Sequence, residues 1–140
     1  MSSQFIQMNV EFNAPVETVF ATLSDHEAMG KVLNAKVKRI KDGQDDVNGI
    51  GSVRRITPVP LADFEETVTA FEPNKLVEYT ITKGSPLKNH KGTMRFSENG
   101  NGGSQLHYVI EFEGKLPLLG PVVKAGLGQA ISRGLNKLKL

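Results

Sequence analysis

The stretch that decides the fold is LPLLGPVVKAGLGQAISRGLNKLKL, residues 116–140. Its apolar residues recur at steps of three and four and therefore fall on one face of a helix. They are Leu119, Val123, Leu127, Ile131, Leu135 and Leu138. At a rise of about 1.5 Å per residue, a helix over 117–139 would be about 34 Å long, enough to lie across a whole sheet. The sequence predicts that this helix packs on the strands that precede it.

The residues before this helix alternate between apolar and polar side chains, which is typical of half-buried strands. The apolar positions of the first strand are Ile6, Met8, Val10 and Phe12. Pro15 suits the first turn of a helix, and two short helices are expected before the second strand. Further strands are predicted over about 35–41, 50–57, 63–72, 76–83, 87–97 and 105–113. Short turns between consecutive strands predict an α+β domain, a curved antiparallel sheet of about seven strands with helices on one side.

Composition indicates one domain over 1–140 and argues against several classes of function. The net charge of +2 gives little support for a nucleic-acid binder. A basic run at Lys36, Lys38, Arg39 and Lys41 is interpreted as the solvated side of a strand rather than a phosphate-binding patch. The chain has no cysteine, and its three histidines lack the close spacing of metal ligands. We therefore expect no metal and no other cofactor.

The sequence predicts a cytoplasmic protein, a monomer or weak homodimer, with no membrane insertion. The N-terminus lacks the basic region and apolar run of a secretory signal. No segment approaches the roughly 20 apolar residues that cross a bilayer.

Several motifs, in this order and spacing, resemble those of the START-like, or Bet v 1-like, superfamily of helix-grip proteins. Within it, the small bacterial polyketide cyclase/dehydrase-type proteins are the most similar. Residues 13–20, NAPVETVF, resemble the opening strand–helix junction, and residues 49–55, GIGSVRR, resemble the third-strand signature. Residues 66–68, ETV, followed by 72–79, EPNKLVEY, resemble the fourth-to-fifth-strand hairpin. The resemblance covers nearly the whole chain. It implies a helix-grip fold with an internal cavity for a largely apolar small molecule.

The alternation of the strands predicts which side chains face that cavity. Ser52, Ala70 and Lys88 are expected to point inward, and Phe71 is expected on the outer face. The predicted ligand-binding residues are Arg54, Ile56, Phe64, Glu66, Val68, Tyr79, Ile81, His90, Met94, Tyr108, Ile110, Leu127 and Ile131.

A few polar side chains fall among these apolar neighbours, as is usual in small-molecule sites. Arg54 and Glu66 would form an ion pair, either as part of the cavity wall or to orient a ligand or perform acid–base chemistry. His90 is the best candidate for a catalytic residue, because imidazole can donate and accept protons near neutral pH. Ligand contact and passive packing are its alternatives. His26, beside Asp25, is interpreted as part of the cap of a short exposed helix.

Two segments carry hypotheses about access to the cavity. The loop 58–62, PVPLA, is either a lid in which Leu61 closes over a ligand or an ordinary loop. In the last helix, Gly126 and Gly134 lie nearer the predicted apolar face and Gly128 nearer the polar face. Glycine is unfavourable inside a helix, so these residues either enlarge the cavity roof or allow close packing of helix on sheet.

Three functions are consistent with these features, and the fold alone does not select among them. The first is binding of a small hydrophobic or amphipathic molecule between the sheet and the C-terminal helix. The second is a cyclase or dehydratase that uses His90 with Tyr79, Glu66 or Arg54. The third is an interaction module of the chaperone-activator type, in which the basic second strand contacts an acidic partner. Whether the protein is an enzyme stays open.

Overall fold

A seven-stranded antiparallel sheet and three helices make up residues 3–57, 63–84, 87–114 and 119–138, the part of the chain that the computed structural model describes. In chain order the elements are β1 (Gln4–Phe12), α1 (Val16–Ser24), α2 (His26–Leu33), β2 (Lys36–Lys41), β3 (Val53–Thr57), β4 (Phe64–Glu72), β5 (Leu76–Lys83), β6 (Leu87–Glu98), β7 (Ser104–Gly114) and α3 (Leu119–Asn136). The strand order across the sheet is β1-β7-β6-β5-β4-β3-β2. The predicted α+β helix-grip architecture is confirmed, with two short helices between β1 and β2.

Local residues define the ends of the two short helices. Pro15 is the N-cap of α1, a position where its missing N–H leaves no donor unpaired. The Asp25 side chain caps α2 by accepting a hydrogen bond from the Glu27 N–H at 3.1 Å. Asn34 ends α2 in the left-handed conformation, with φ 53°. The chain therefore enters the edge strand β2 directly after α2.

Side chains alternate as predicted where the strands are regular. The buried residues along β7 are Ser104, Leu106, Tyr108, Ile110, Phe112 and Gly114. Ser52, Arg54 and Ile56 are likewise all buried, so the predicted orientation of the third strand is confirmed. The inward face of the sheet is thus set largely by period-2 patterning.

Two β-bulges reverse the predicted orientation at particular positions. The register of β6 against β7 shifts after Lys88, next to Asn89 with φ 52°, and Lys88 is exposed rather than inward. The register of β4 against β5 shifts just before Ala70, and the following Phe71 side chain packs against the core. Placing Lys88 inward and Phe71 outward was wrong, because a bulge adds one residue and changes the side-chain parity.

The C-terminal helix α3 packs against β1, β7 and α2. Ile131 and Leu135 are its fully buried side chains within the described part of the helix. Over Leu119–Asn136 the helix is about 27 Å long, which is still enough to cross several strands.

Glycines in α3 mark where another element comes close. A Cβ at Gly134 would overlap the Val32 carbonyl of α2, so this glycine permits close contact between two helices. A Cβ at Gly128 would lie 3.6 Å from the Ile6 side chain, whereas Gly126 is exposed with open space around it. The predicted faces of Gly126 and Gly128 were therefore wrong. The hypothesis that Gly134 enlarges the cavity roof is also wrong, since its neighbour is α2.

Candidate functional site

A cavity of about 370 Å³ lies between the sheet and α3. The helices contribute Val123, Leu127 and Ile131 of α3 and Leu33 at the end of α2. The rest of the wall comes from Ala35, Arg54, Ile56, Phe64, Glu66, Tyr79, Ile81, Gly84, Leu87, His90 and Ile110. The volume falls within the range of small-molecule pockets, about 300–1,000 Å³.

The cavity occupies only one end of the inward face, because the other end is filled by an aromatic cluster. Phe20 of α1 packs edge-to-face against Phe71 at 5.3 Å and against Phe96 at 5.0 Å between ring centroids. Phe64 at the start of β4 and Ile81 near the end of β5 lie away from this cluster and line the cavity. Helix α1 thus closes one half of the sheet and leaves the other half to α3.

Most of the predicted ligand-binding residues line this cavity. They are Arg54, Ile56, Phe64, Glu66, Tyr79, Ile81, His90, Ile110, Leu127 and Ile131. Val68, Met94 and Tyr108 instead belong to the packed core, so the candidate set narrows to the lining residues. Ligand binding by these residues stays a prediction.

Sequence reasoning missed the lining residues Leu33, Ala35, Gly84, Leu87 and Val123. Val123 belongs to the apolar stripe of the last helix and could have been found from that signal. The others lie at or next to the ends of elements. At such positions, the periodicity of the sequence does not indicate which distant segment packs against the residue.

An ion pair between Arg54 and Glu66 forms the polar end of the cavity, as predicted. The two residues face each other in the β3–β4 register and are 4% and 6% exposed. Arg54 Nε donates to Glu66 Oε1 at 2.8 Å, and Arg54 Nη2 lies 2.6 Å from the same oxygen. Burial by itself would lower the pKa of Arg54, but the charge and hydrogen bond of Glu66, together with Tyr79 and Tyr108 nearby, outweigh burial and raise the pKa. Arg54 therefore stays protonated, and the Glu66 carboxylate balances its positive charge.

Two tyrosines extend this polar end. The Arg54 guanidinium lies over the Tyr79 ring at 4.6 Å from its centroid, and the Tyr79 and Tyr108 hydroxyls are hydrogen-bonded to each other. Burial raises the pKa of Tyr79 well above its usual value and that of Tyr108 to about 12, so both phenols are neutral. Gly92 makes room for this arrangement, because a Cβ there would overlap the Tyr79 ring.

His90 lies beside the ion pair with its two ring nitrogens in different environments. The Ile81 N–H donates to His90 Nδ1 at 3.1 Å, which places the proton of the neutral ring on Nε2. Nε2 lies 3.8 Å from Glu66 Oε2. Burial lowers the pKa of His90, with Arg54 adding to the effect and Glu66 opposing it. The imidazole is therefore neutral at pH 7 and presents an N–H donor to the Glu66 carboxylate.

His26 is buried, at 2% exposure, and the prediction of an exposed position in a helix cap was wrong. Asp25 caps the helix, while the His26 ring turns inward so that Nε2 lies 2.8 Å from Ser52 Oγ. Burial, with Arg54 and Arg39 nearby, lowers the pKa of His26 to about 3. The ring does not line the cavity but lies behind its polar end.

Three further predictions concern a lid over the cavity, metal binding and membrane insertion. The proposed lid, residues 58–62, lies outside the described ranges. Among the residues with described positions, no group of three or more histidine or acidic side chains is arranged to hold a metal ion. Likewise, no helix within the described ranges has the length and apolar character needed to span a membrane.

An antiparallel sheet that holds a C-terminal helix over an apolar cavity defines a START-like, or Bet v 1-like, helix-grip protein. The chain belongs to the family described as polyketide cyclase / dehydrase and lipid transport, whose model matches residues 4–140. This agrees with the resemblance in the strand motifs. A search of curated proteins found no match.

Solved structures share this fold at low sequence identity. A START superfamily protein from Mycobacterium smegmatis is 19% identical, with a TM-score of 0.76 over 94% of this chain and 93% of that one. A protein from Nitrosospira multiformis is 13% identical, with a TM-score of 0.71 and the same coverage of 94% and 93%. Norcoclaurine synthase from Thalictrum flavum is 16% identical, with a TM-score of 0.68 over 99% and 90%. These similarities establish the fold.

Proposed function

We propose that the protein binds one small, largely apolar molecule in the cavity between the sheet and α3. The observation that carries this proposal is the cavity itself, which is apolar along the α3 wall and polar at one end. A mostly apolar pocket with a few convergent polar groups is the usual form of a small-molecule site. The family description includes lipid transport, and the related fold of norcoclaurine synthase has been solved with dopamine and hydroxybenzaldehyde.

The polar end favours an uncharged ligand. Arg54 and Glu66 neutralise each other, His90 is neutral, and both tyrosines are protonated. A charged ligand would leave its own charge without a partner in a buried site, which is unfavourable.

The same geometry favours binding over base catalysis by His90. A general base needs a free nitrogen lone pair directed at the substrate. The Nδ1 lone pair of His90 is occupied by the Ile81 N–H, and Nε2 carries the proton. His90 is thus arranged as a hydrogen-bond donor.

The proposal is tested by fluorescence titration with N-phenyl-1-naphthylamine, a neutral apolar fluorophore. We expect one saturable site per chain in the wild-type protein. Leu127 lines the cavity, so Leu127→Trp should fill it and weaken binding at least about tenfold. Val122, on the same helix and 67% exposed, provides the matched control, and Val122→Trp should leave the affinity within about twofold. Equal binding by all three proteins would place the fluorophore outside the cavity and refute the proposal.

A further inference from the structure

The polar end of the cavity presents one hydrogen-bond acceptor and one donor side by side. Arg54 engages Oε1 of Glu66, which leaves Oε2 directed toward His90 Nε2 at 3.8 Å. That separation is too long for a direct hydrogen bond. Within the described ranges, neither Glu66 Oε2 nor His90 Nε2 has a hydrogen-bond partner. An acceptor and a donor that both line the cavity are therefore available to a ligand.

We infer that Glu66 and His90 recognise a hydroxyl group, and that the ligand is an apolar molecule with an alcohol or phenol at one end. This inference rests on the proposed function and specifies its ligand. A hydroxyl is both donor and acceptor, so one oxygen can donate to Glu66 Oε2 and accept from His90 Nε2–H. An oxygen about 2.8 Å from each atom spans their separation.

The neighbouring polar groups are largely engaged with one another, which disfavours an anion in their place. Two Arg54 nitrogens already contact Glu66 Oε1, and the face of the guanidinium is covered by the Tyr79 ring. The Tyr79 and Tyr108 hydroxyls are bonded to each other. A ligand carboxylate would place two acceptors and an unpaired negative charge next to the Glu66 oxygen. An ether oxygen could accept from His90 but could not donate to Glu66.

A set of matched ligands tests this inference on the wild-type protein at pH 7.5. 4-Octylphenol, its methyl ether and 4-octylbenzoate differ only at the polar end, and the affinity of each is measured by its displacement of N-phenyl-1-naphthylamine. Because a hydrogen bond to a charged acceptor is lost in the ether, we expect the phenol to bind about tenfold or more tightly than the ether. The benzoate should also bind at least about tenfold more weakly than the phenol. Equal affinities, or preference for the benzoate, would overturn the inference.

Variants assign the preference to named atoms. Glu66→Gln replaces the Oε2 acceptor with a group of the same shape, so the phenol-over-ether preference should fall to within about twofold. Glu65→Gln is the matched control, since Glu65 is adjacent in β4 and pairs with Arg55 outside the cavity. It should keep the full preference. His90→Phe should weaken phenol binding about fivefold, the loss of one neutral hydrogen bond.

The two proposals fail in different ways. If the wild-type protein does not bind N-phenyl-1-naphthylamine, the proposed function is wrong. If it binds the fluorophore but Glu66→Gln, folded by circular dichroism, retains the full preference for the phenol, the hydroxyl site is wrong. The wild-type comparison needs no variant and decides the inference even if Glu66→Gln does not fold.

Discussion

The two buried histidines, His26 and His90, are kept neutral by different local arrangements. A backbone N–H satisfies Nδ1 of His90, so protonation of that ring would break an existing hydrogen bond. His26 pairs with Ser52 through Nε2, and its Nδ1 is buried without a hydrogen-bond partner in the described residues. Protonating His26 would therefore create a buried charge beside Arg54 and Arg39.

The depressed pKa of His26 predicts that stability falls as the pH drops. Above about pH 6.5 the residue is neutral in both folded and unfolded chains and has no effect. Between that pH and the folded pKa of about 3, the unfolded chain binds a proton that the folded protein does not. At pH 5 this stabilises the unfolded state by about 2 kcal/mol relative to neutral pH. Urea denaturation between pH 7.5 and 5 measures this loss.

A matched pair of variants assigns the effect to the residue. His90 contributes in the same direction, because its pKa is also lowered, so the wild-type slope includes both residues. His26→Gln should flatten the slope, whereas His107→Gln, which alters a part-exposed residue that contacts Asn9, should retain it. A variant that lacks His26 yet loses stability as steeply as the wild type would contradict the prediction.

At the scale of elements, alternation predicted the strands well where they are regular and failed at the bulges. β3 and β7 follow the predicted parity, but Lys88 and Phe71 lie next to register shifts that no local pattern marks. A bulge depends on the pairing of two distant strands, so one strand's sequence does not reveal it. The inward turn of His26 is of the same kind, since its partner Ser52 is 26 residues away.

The glycines of α3 give an element-scale prediction about the contact between α2 and α3. Gly134→Ala should destabilise the protein by about 1–3 kcal/mol, because the added methyl group overlaps the Val32 carbonyl and forces the helices apart. Gly126 is exposed, so Gly126→Ala should stabilise it by about 0.5–1 kcal/mol through helix propensity alone. Thermal or urea denaturation measures both changes. Stabilisation of similar size by both substitutions would contradict the close contact.

At the scale of the whole molecule, the cavity joins parts of the fold that are distant in sequence. Leu33 of α2, Leu127 of α3 and Phe64 of β4 all contribute to its wall. Helix α2 also contacts α3 through Gly134. A ligand in the cavity would therefore touch the sheet and both helices at once, and its binding energy would stabilise their association.

This arrangement predicts where a bound ligand protects the protein. With 4-octylphenol at about 100 times its dissociation constant, global stability should rise by about 2.7 kcal/mol. Amide hydrogen exchange should slow in α3 and in the C-terminal turn of α2, because both segments contribute side chains to the cavity wall. At the same ligand concentration the Leu127→Trp variant, whose affinity is at least about tenfold lower, should gain no more than about 1.4 kcal/mol and show correspondingly weaker protection. The end of the sheet around Phe20 is filled by aromatic side chains that do not line the cavity. Protection confined to that end would therefore show that the ligand binds outside the cavity.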